Sequence, residues 1–299
     1  MNLPAAGEPS FWTAPDGCRL AWYEFGKSDG IPLMFYHGWP SSGSQAAMLH
    51  HLACERGIRV IAMDRPGMGK SEFVPRRTLA DWPGQIEAFV DFLGVESFLQ
   101  LGVSGGGPYI PACVASMPDR VAGSAVLCGA VPISGDMRGF HPVYRLLFPF
   151  RKLPTACFSM LLMVAKWMIR DGGGQKLRWI ARSLPEADRL ALEKDPQTIP
   201  HFIGSFEGGI AQGGRGVMGD AAIYFQPCPI DFSRIESAIR YWHGAADFNI
   251  PLSKVIEFTD GIPGACLEVD PDLGHYSLAL YRAGEAMDYL AKCWTGARE

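Results

Sequence analysis

Ser104 is the residue whose type and surroundings best fit a nucleophile. It lies in the run Leu101-Gly102-Val103-Ser104-Gly105-Gly106-Gly107, after a strand-like apolar stretch and before a helix-like one. A serine hydroxyl is a poor nucleophile unless a base takes its proton and the backbone holds it clear of the sheet. Small residues two positions before and after it permit so tight a turn between a strand and a helix.

The pattern Gly-x-Ser-x-Gly is weak by itself, because the 299 residues include 35 glycines. A glycine-rich turn can also bind phosphate or simply allow close packing. The run does not match Gly-x-Gly-x-x-Gly, and no Gly-Lys-Ser/Thr opens the helix, so phosphate binding is the weaker interpretation. Residues elsewhere in the chain must decide between these alternatives.

Asp247 and His275 could complete a proton relay with Ser104. A serine nucleophile needs an imidazole to accept its proton, and the imidazole needs a carboxylate to fix its tautomer. Each of the two residues follows a strand-like stretch, and the chain order serine, acid, histidine is typical of one hydrolase architecture. Asp270 and Asp272 are alternative acids, but they share a loop with the histidine and fit turn formation.

Two other polar runs follow strand-like stretches. His37-Gly38-Trp39-Pro40 comes after one of them, and we expect His37 to hydrogen-bond the neighbouring backbone while Gly38 lets the loop approach a substrate oxygen. Asp64 and Arg65 come after another, and we expect them to form a turn-stabilising pair.

The elements that must position these residues alternate along the chain. We predict strands at residues 10–13, 19–25, 32–36, 59–63, 98–103, 122–127, 238–242 and 266–269. We predict helices at residues 45–56, 79–93, 108–117, 252–260 and 277–294. This alternation predicts an α/β fold with a mainly parallel sheet of about eight strands, covered by helices on both faces. Sites in such sheets form beyond the carboxyl ends of the strands, where the polar residues above are expected.

The alternation breaks between about residues 131 and 231. This stretch is rich in aromatic residues and glycine, and it contains helix candidates at 158–170, 174–183 and 185–194. We therefore expect a core domain of residues 1–130 and 232–299, with residues 131–231 inserted as helices over the carboxyl edge of the sheet. The aromatic side chains predict an apolar pocket. The glycines at 172–174, 208, 209, 213, 214 and 216 suggest that part of the insertion moves.

Composition excludes several other classes of protein. The net charge is −4 and no basic run with interleaved aromatic residues is present, so nucleic acid is not an expected partner. The eight cysteines are scattered singly, which predicts reduced thiols and neither a metal site nor a disulfide framework. No secretory signal is apparent, and the longest apolar stretch, at 157–169, is too short to span a bilayer. We expect a cytoplasmic protein without stable membrane insertion, whose oligomeric state the sequence does not reveal.

Taken together and in order, these runs resemble the α/β-hydrolase fold superfamily, in its serine hydrolase branch with a helical cap. The resemblance implies that Ser104 is the nucleophile, His275 the general base and Asp247 the orienting acid. It also implies an oxyanion hole formed by the backbone N–H groups of Trp39 and Gly105, and a cap at residues 131–231. The residues that structurally support this site are His37, Gly38, Gly102 and Gly106.

The chemistry expected from this resemblance is hydrolysis of an ester, thioester or lactone of a mainly apolar small molecule, through an acyl-enzyme and without metal or other cofactor. Activity should fall on the acid side near 6.5, the intrinsic pKa of imidazole. Serine at the turn counts against the family branches that open epoxides or displace halide from an aspartate. A proline-type aminopeptidase is an alternative, with Glu207 as the candidate for binding a free amine.

Three further possibilities remain open. Enzymes of this family also cleave carbon–carbon bonds, and others catalyse non-hydrolytic reactions such as elimination or cofactor-free cyclisation and oxygenation. A ligand-binding protein with a vestigial pocket is the alternative that is not an enzyme.

Overall fold

The computed structural model describes residues 7–133, 137–140, 160, 184–226, 228 and 230–296. Within these ranges lie eight strands: β1 Ser10–Thr13, β2 Arg19–Gly26, β3 Ile31–Tyr36, β4 Ile58–Met63, β5 Phe98–Val103, β6 Val121–Leu127, β7 Ile239–Gly244 and β8 Ala265–Asp270. The α-helices of the same ranges are α1 His50–Glu55, α2 Asp81–Phe92, α3 Tyr109–Ser116, α4 Glu186–Lys194, α5 Thr198–Gly209, α6 Gly214–Phe225, α7 Leu252–Asp260 and α8 His275–Gly296.

All eight strands form one sheet, in the order β1-β2-β4-β3-β5-β6-β7-β8. The pairs β1–β2 and β2–β4 are antiparallel, and every other pair is parallel. The predicted fold class is therefore confirmed, and each predicted strand lies within two residues of its observed bounds. Strands such as β4, with the sequence IRVIAM, were recognisable because both faces of a parallel sheet are buried and the run is almost continuously apolar.

Helices cover both faces of the sheet. Side chains alternate along β3, so that Met34 and Tyr36 pack toward α2 and α3, whereas Leu33 and Phe35 pack toward α1 and α8. The two faces thus bury separate hydrophobic clusters, and the carboxyl ends of the parallel strands open onto one edge between them.

Between β6 and β7 the structure differs from the prediction. Helix α4 matches the predicted helix at 185–194, while the candidates at 158–170 and 174–183 lie outside the described residues except for Met160, which is helical. Helices α5 and α6 were not predicted, and they contain the glycines at 208, 209, 214 and 216 for which the sequence suggested movement.

Two of these glycines instead allow close contact. A side chain at Gly209 would lie 2.5 Å from the Ser41 nitrogen, and one at Gly216 would lie 1.9 Å from the Gly67 oxygen. Gly209 and Gly216 therefore let α5 and α6 pack closely against loops of the core. None of the helices in the described ranges is both long enough and apolar enough to cross a membrane.

Candidate active site

Ser104 occupies a strained turn at the carboxyl end of β5. Its φ is 51°, a left-handed conformation that a residue other than glycine rarely adopts. Gly102 and Gly106 make the turn possible, since a side chain at Gly102 would lie 2.8 Å from the Gly106 oxygen and one at Gly106 would lie 2.0 Å from the Tyr36 oxygen. The half-buried hydroxyl is thereby held above the sheet.

The structure brings Ser104, His275 and Asp247 together. The Ser104 Oγ lies 2.9 Å from His275 Nε2, and His275 Nδ1 lies 2.8 Å from Asp247 Oδ2. Because an ionised carboxylate only accepts hydrogen bonds, Nδ1 carries the single proton of the neutral imidazole, and in that form Nε2 is free to accept the serine proton. The arrangement can therefore move a proton off the Ser104 hydroxyl.

The loop after β7 holds Asp247 in place. Its Oδ1 accepts hydrogen bonds from the N–H groups of Asn249 and Ile250, both at 2.8 Å. His243 donates from Nε2 to the Ile250 oxygen at 3.0 Å, and burial lowers the pKa of this imidazole. Burial opposes ionisation of Asp247, but His275 and these hydrogen bonds outweigh it, and the pKa of Asp247 lies below its usual range.

His275 is itself buried. Burial acts to lower the pKa of this imidazole, but the charge of Asp247, followed by the Cys128 thiol, raises it well above 6.5. The competing acid Asp270 points elsewhere, since it binds Arg282 at 2.6 Å and accepts from the N–H of Asp272 at 3.1 Å. Asp270 thus stabilises the turn that precedes the histidine.

The Trp39 and Gly105 amides lie side by side next to Ser104. A side chain at Gly105 would come within 2.9 Å of the Trp39 nitrogen, so glycine keeps the space between them open. In the part of the chain that the structure describes, the Trp39 amide has no backbone acceptor. Gly105 lies in the first turn of a 3-10 helix, where N–H groups lack partners within the helix. Two such donors could stabilise an oxyanion.

The peptide groups that carry these two N–H donors have the carbonyl oxygens of Ser104 and Gly38, and hydrogen bonds to these oxygens hold both groups in place. The Ser104 oxygen accepts from the Gly107 and Ala130 amides at 2.9 and 2.7 Å. The Gly38 oxygen accepts from Arg65 Nη2 at 2.8 Å and from His37 Nδ1 at 2.8 Å.

His37 is hydrogen-bonded to the backbone through both ring nitrogens. Its Nε2 accepts from the Arg65 amide at 3.1 Å, and burial together with the charge of Arg65 holds the pKa of His37 well below its usual range. The imidazole therefore remains neutral and braces the backbone on both sides.

Arg65 belongs to a buried charge network that the sequence did not reveal. Its side chain is fully buried and pairs with Asp220 of α6 at 2.9 Å, and Arg77 binds the same carboxylate. The hydroxyl groups of Tyr109 and Tyr224 lie 2.6 and 2.9 Å from Asp220. Burial opposes ionisation of Asp220, but the two guanidinium groups prevail and hold its pKa well below its usual range.

Arg65 consequently does not pair with Asp64 as expected. It binds the carbonyl oxygens of His37 and Gly38, on the loop that carries Trp39. Asp64 does stabilise its turn, because it accepts from the amides of Gly43 and Lys70 at 2.6 and 2.8 Å.

Asp188 of α4 is the second residue that the sequence did not reveal. This buried carboxylate accepts from the backbone N–H groups of His275, Tyr276 and Ser277 at 3.0, 3.0 and 2.8 Å, and from the Ser277 hydroxyl at 2.6 Å. It therefore caps the first turn of α8, which begins at His275. A side chain at Gly274 would lie 2.6 Å from either carboxylate oxygen, so glycine leaves the room that Asp188 occupies.

A cavity of about 420 Å³ opens beside Ser104 and His275. It is lined by core side chains such as Phe35 and Leu127 and by side chains of α4 and α5 such as Leu192 and Phe202. Of the described residues that line it, most are apolar and none carries a carboxyl group. In the described ranges, no three His, Cys, Asp or Glu side chains are grouped as a metal site would require.

Comparison with known proteins agrees with this architecture. The family model described as alpha/beta hydrolase fold matches residues 31–152. A bifunctional esterase/perhydrolase of Acinetobacter calcoaceticus is 35% identical over 123 residues, and a non-heme haloperoxidase of Rhodococcus erythropolis is 36% identical over 123 residues. These alignments cover 40% and 41% of this chain and 44% of each relative, so the chain spans less than half the length of these relatives.

The likeness to solved structures extends over nearly the whole chain. A thermophilic esterase from Thermogutta terrifontis superposes with a TM-score of 0.66 at 21% identity, over 96% of this chain and 99% of that one. The sheet order, the strained serine turn and these comparisons lead to one conclusion: the chain has the α/β-hydrolase fold.

Proposed function

We propose that this protein is a serine hydrolase that cleaves an ester, thioester or lactone of a mainly apolar small molecule. The observation that carries the proposal is the chain of two hydrogen bonds from Ser104 through His275 to Asp247, at 2.9 and 2.8 Å. Nothing in this arrangement needs a cofactor, because the three side chains supply the nucleophile, the base and the orienting charge.

In the first half of the reaction, the Ser104 oxygen attacks the carbonyl carbon while His275 Nε2 takes its proton. The resulting oxyanion accepts hydrogen bonds from the Trp39 and Gly105 amides, and His275 returns the proton to the departing alcohol or thiol. Water then attacks the acyl-enzyme, with His275 as the base, and releases the acid and the Ser104 hydroxyl.

We propose further that residues 131–231 form a cap over this site. Support comes from Leu192 of α4 and from Ile199, Phe202 and Phe206 of α5, which face the cavity. Their apolar character favours a hydrocarbon group on the substrate, since polar groups buried there would lose their hydrogen bonds to water.

The test compares Ser104→Ala with Ser116→Ala, which removes the same hydroxyl from an exposed position at the end of α3. We expect Ser104→Ala to lower the kcat for a 4-nitrophenyl ester by about 10⁴- to 10⁶-fold without unfolding the protein, and to abolish labelling by a fluorophosphonate. Ser116→Ala should behave as wild type. Unchanged turnover in Ser104→Ala would overturn the proposal, and so would a wild-type protein that neither turns over esters nor is labelled, which would favour a binding protein.

The aminopeptidase alternative has less support. Such an enzyme must bind a free amine, and the described residues that line the cavity, among which Glu207 is not found, offer no carboxylate for it. Release of amines from proline anilides without hydrolysis of esters would favour this alternative.

Hydrogen peroxide is a second candidate acceptor of the acyl group. The similarity to a bifunctional esterase/perhydrolase favours it. Peroxide would attack the acyl-enzyme in place of water, lose its proton to His275 and leave as a peracid. Peracid formed in proportion to ester consumed, and absent with Ser104→Ala, would support this route, whereas ester hydrolysis unaffected by peroxide would exclude it.

A further inference from the structure

The cavity beside Ser104 continues as a groove between two helices on one face of the sheet. One wall is formed by α1 and the 3-10 helix before it, and the other by α8. The apolar side chains that these walls present are Met48, Leu49, Leu52, Ala279, Leu280 and Ala283, and they suit a hydrocarbon. The same helices also contribute Gln45, His275 and Tyr276 to the lining. Gln45 accepts from the Gly38 amide at 2.7 Å and His275 contacts Ser104, so these polar groups belong to the reacting end of the cavity.

Helix α8 sets the length of this groove. His275, Ala279 and Ala283 are spaced four residues apart, so they form one stripe along the helix. The rise of 1.5 Å per residue places Ala283 about 12 Å beyond His275. The small side chains at 279 and 283 leave the groove open along this stripe, where larger ones would fill it.

Beyond Ala283 the two walls meet. A side chain at Gly284 would lie 3.6 Å from Arg56 Nη2 and 3.9 Å from Leu52 Cδ2. Arg56 also bonds Asp288 of α8, with its Nε 2.6 Å from Oδ1 and its Nη2 3.2 Å from Oδ2. The groove therefore starts at the reacting groups and ends about 12 Å away, where a charged pair joins its walls.

We propose that this groove holds the unbranched hydrocarbon chain of the substrate, which makes the substrate a medium-chain ester or thioester. This proposal rests on the proposed function. An extended chain advances about 3.3–3.6 Å for every three bonds, so 12 Å corresponds to about ten bonds and the groove accommodates roughly eight to ten carbons. The chain can belong to the acyl or to the alcohol part, and the experiment distinguishes the two.

The experiment measures kcat/KM for 4-nitrophenyl esters from acetate to dodecanoate, and for acetates of alcohols from ethanol to decanol. Each methylene that the groove buries should raise kcat/KM by about fourfold. In the series whose chain enters the groove, kcat/KM should rise up to about eight carbons and fall beyond about ten. The other series should be nearly flat.

Two leucine substitutions on α8 test where the chain lies. Ala279→Leu fills the groove one turn nearer to His275 than Ala283→Leu, a difference of about 6 Å or five bonds. We expect Ala283→Leu to lose activity only toward chains of about eight carbons and longer, and Ala279→Leu to lose it already at about four to five. The measured quantity is kcat/KM at each chain length relative to kcat/KM for acetate in the same variant. Glu285→Leu places the same side chain on the exposed face of α8 and should not change the profile.

The outcomes separate this proposal from the proposed function. If the protein hydrolyses acetate but kcat/KM does not rise with chain length in either series, the groove proposal is wrong and the serine hydrolase proposal stands. Leucine variants that lower kcat/KM equally for every chain length would also overturn it. A wild-type protein inactive toward every ester would instead refute the proposed function. If Ala283→Leu does not fold, the half-buried position 279 carries the test alone.

Discussion

His275 faces a carboxylate on one ring nitrogen and a hydroxyl on the other, and these neighbours decide when it can act as a base. Burial disfavours its charged form, yet the Asp247 charge and the Cys128 thiol raise the pKa of His275 well above 6.5. On the far side of Asp247 lies His243, with its Nε2 3.6 Å from Oδ2 and a lowered pKa. A raised pKa means that His275 is still protonated at a pH where a free imidazole would be neutral.

We therefore expect kcat/KM for an activated ester to rise with pH through a midpoint above 6.5, higher than the sequence alone suggested. Asp247→Asn removes the charge that raises the pKa. Because Oδ1 already accepts from the Asn249 and Ile250 amides, the substitution also places an NH2 donor where Oδ2 accepted from His275 Nδ1. It should lower kcat on the order of 10⁴-fold and move the midpoint of the remaining activity downward. A pH–rate profile of each protein checks this, and an unmoved midpoint in the variant would show that another charge sets the pKa.

The three residues of this hydrogen-bonded chain, Ser104, His275 and Asp247, were recognisable in the sequence because each follows a strand and carries a side chain with few other uses at that place. Asp247 was preferred to Asp270 in the sequence because Asp270 shares a loop with the histidine and fits turn formation. The structure gives a physical reason why Asp270 does not bind His275, because its carboxylate is already paired with Arg282.

At the scale of elements, α4 contributes more than a wall of the cavity. Asp188 lies 87 residues before His275 in the chain, yet its carboxylate binds the first N–H groups of α8. A negative charge at the beginning of a helix is favoured by the helix dipole. Because His275 is the first residue of α8, the same contact that caps the helix also fixes the backbone that carries the imidazole.

We expect Asp188→Ala to lower kcat by about 10- to 100-fold with little change in KM, because the base would be misplaced while the cavity remains. The free energy of unfolding should fall by about 1–3 kcal/mol, since buried N–H groups would lose their acceptor. Asp188→Asn retains one oxygen and should lie between wild type and Asp188→Ala. Kinetics and thermal melting check both quantities.

Glu186→Gln is the matched control, because it removes a carboxylate from an exposed position on the same helix. It should leave kcat and stability unchanged. Were Asp188→Ala to lose stability but keep full kcat, Asp188 would be a helix cap with no influence on the position of His275.

The strands and the crossover helices were predictable from the sequence, because the spacing of their apolar residues shows whether one face of the element is buried or both. Helices α5 and α6 were not, because their glycines serve contacts with loops that are distant in the chain. A pattern within a short window contains no information about the loop at Gly67, against which Gly216 packs. The role of Asp188 was hidden for the same reason, since a single acid on an amphipathic helix normally faces solvent.

At the scale of the whole molecule, a buried ion network joins α6 to the core. Asp220 lies 155 residues after Arg65, and both side chains are fully buried. Arg77 brings a second cation to the same carboxylate. Removal of one partner from such a group leaves a charge without compensation in a medium that solvates it poorly, which is costlier than the loss of a surface pair.

We expect Asp220→Ala to lower the free energy of unfolding by about 3–5 kcal/mol, because Arg65 and Arg77 would remain buried without a counter-charge. Glu193→Ala, which breaks the exposed pair with Arg189 on α4, should change it little. Because the pKa of Asp220 is lowered, its contribution is complete above the unfolded value near 3.8 and is lost only as the pH falls through the lower folded value. Denaturant titrations should therefore give the same difference between wild type and Asp220→Ala from about pH 5 to 8.

The same substitution should affect catalysis through the loop that Arg65 holds. Without Asp220, the guanidinium is no longer fixed against the His37 and Gly38 oxygens, and the Trp39 amide loses its orientation. Loss of one oxyanion donor costs about 10²- to 10³-fold in kcat, so a folded Asp220→Ala protein should lose up to that factor. Full kcat in a folded Asp220→Ala protein would show that the core positions this loop without the contact to α6.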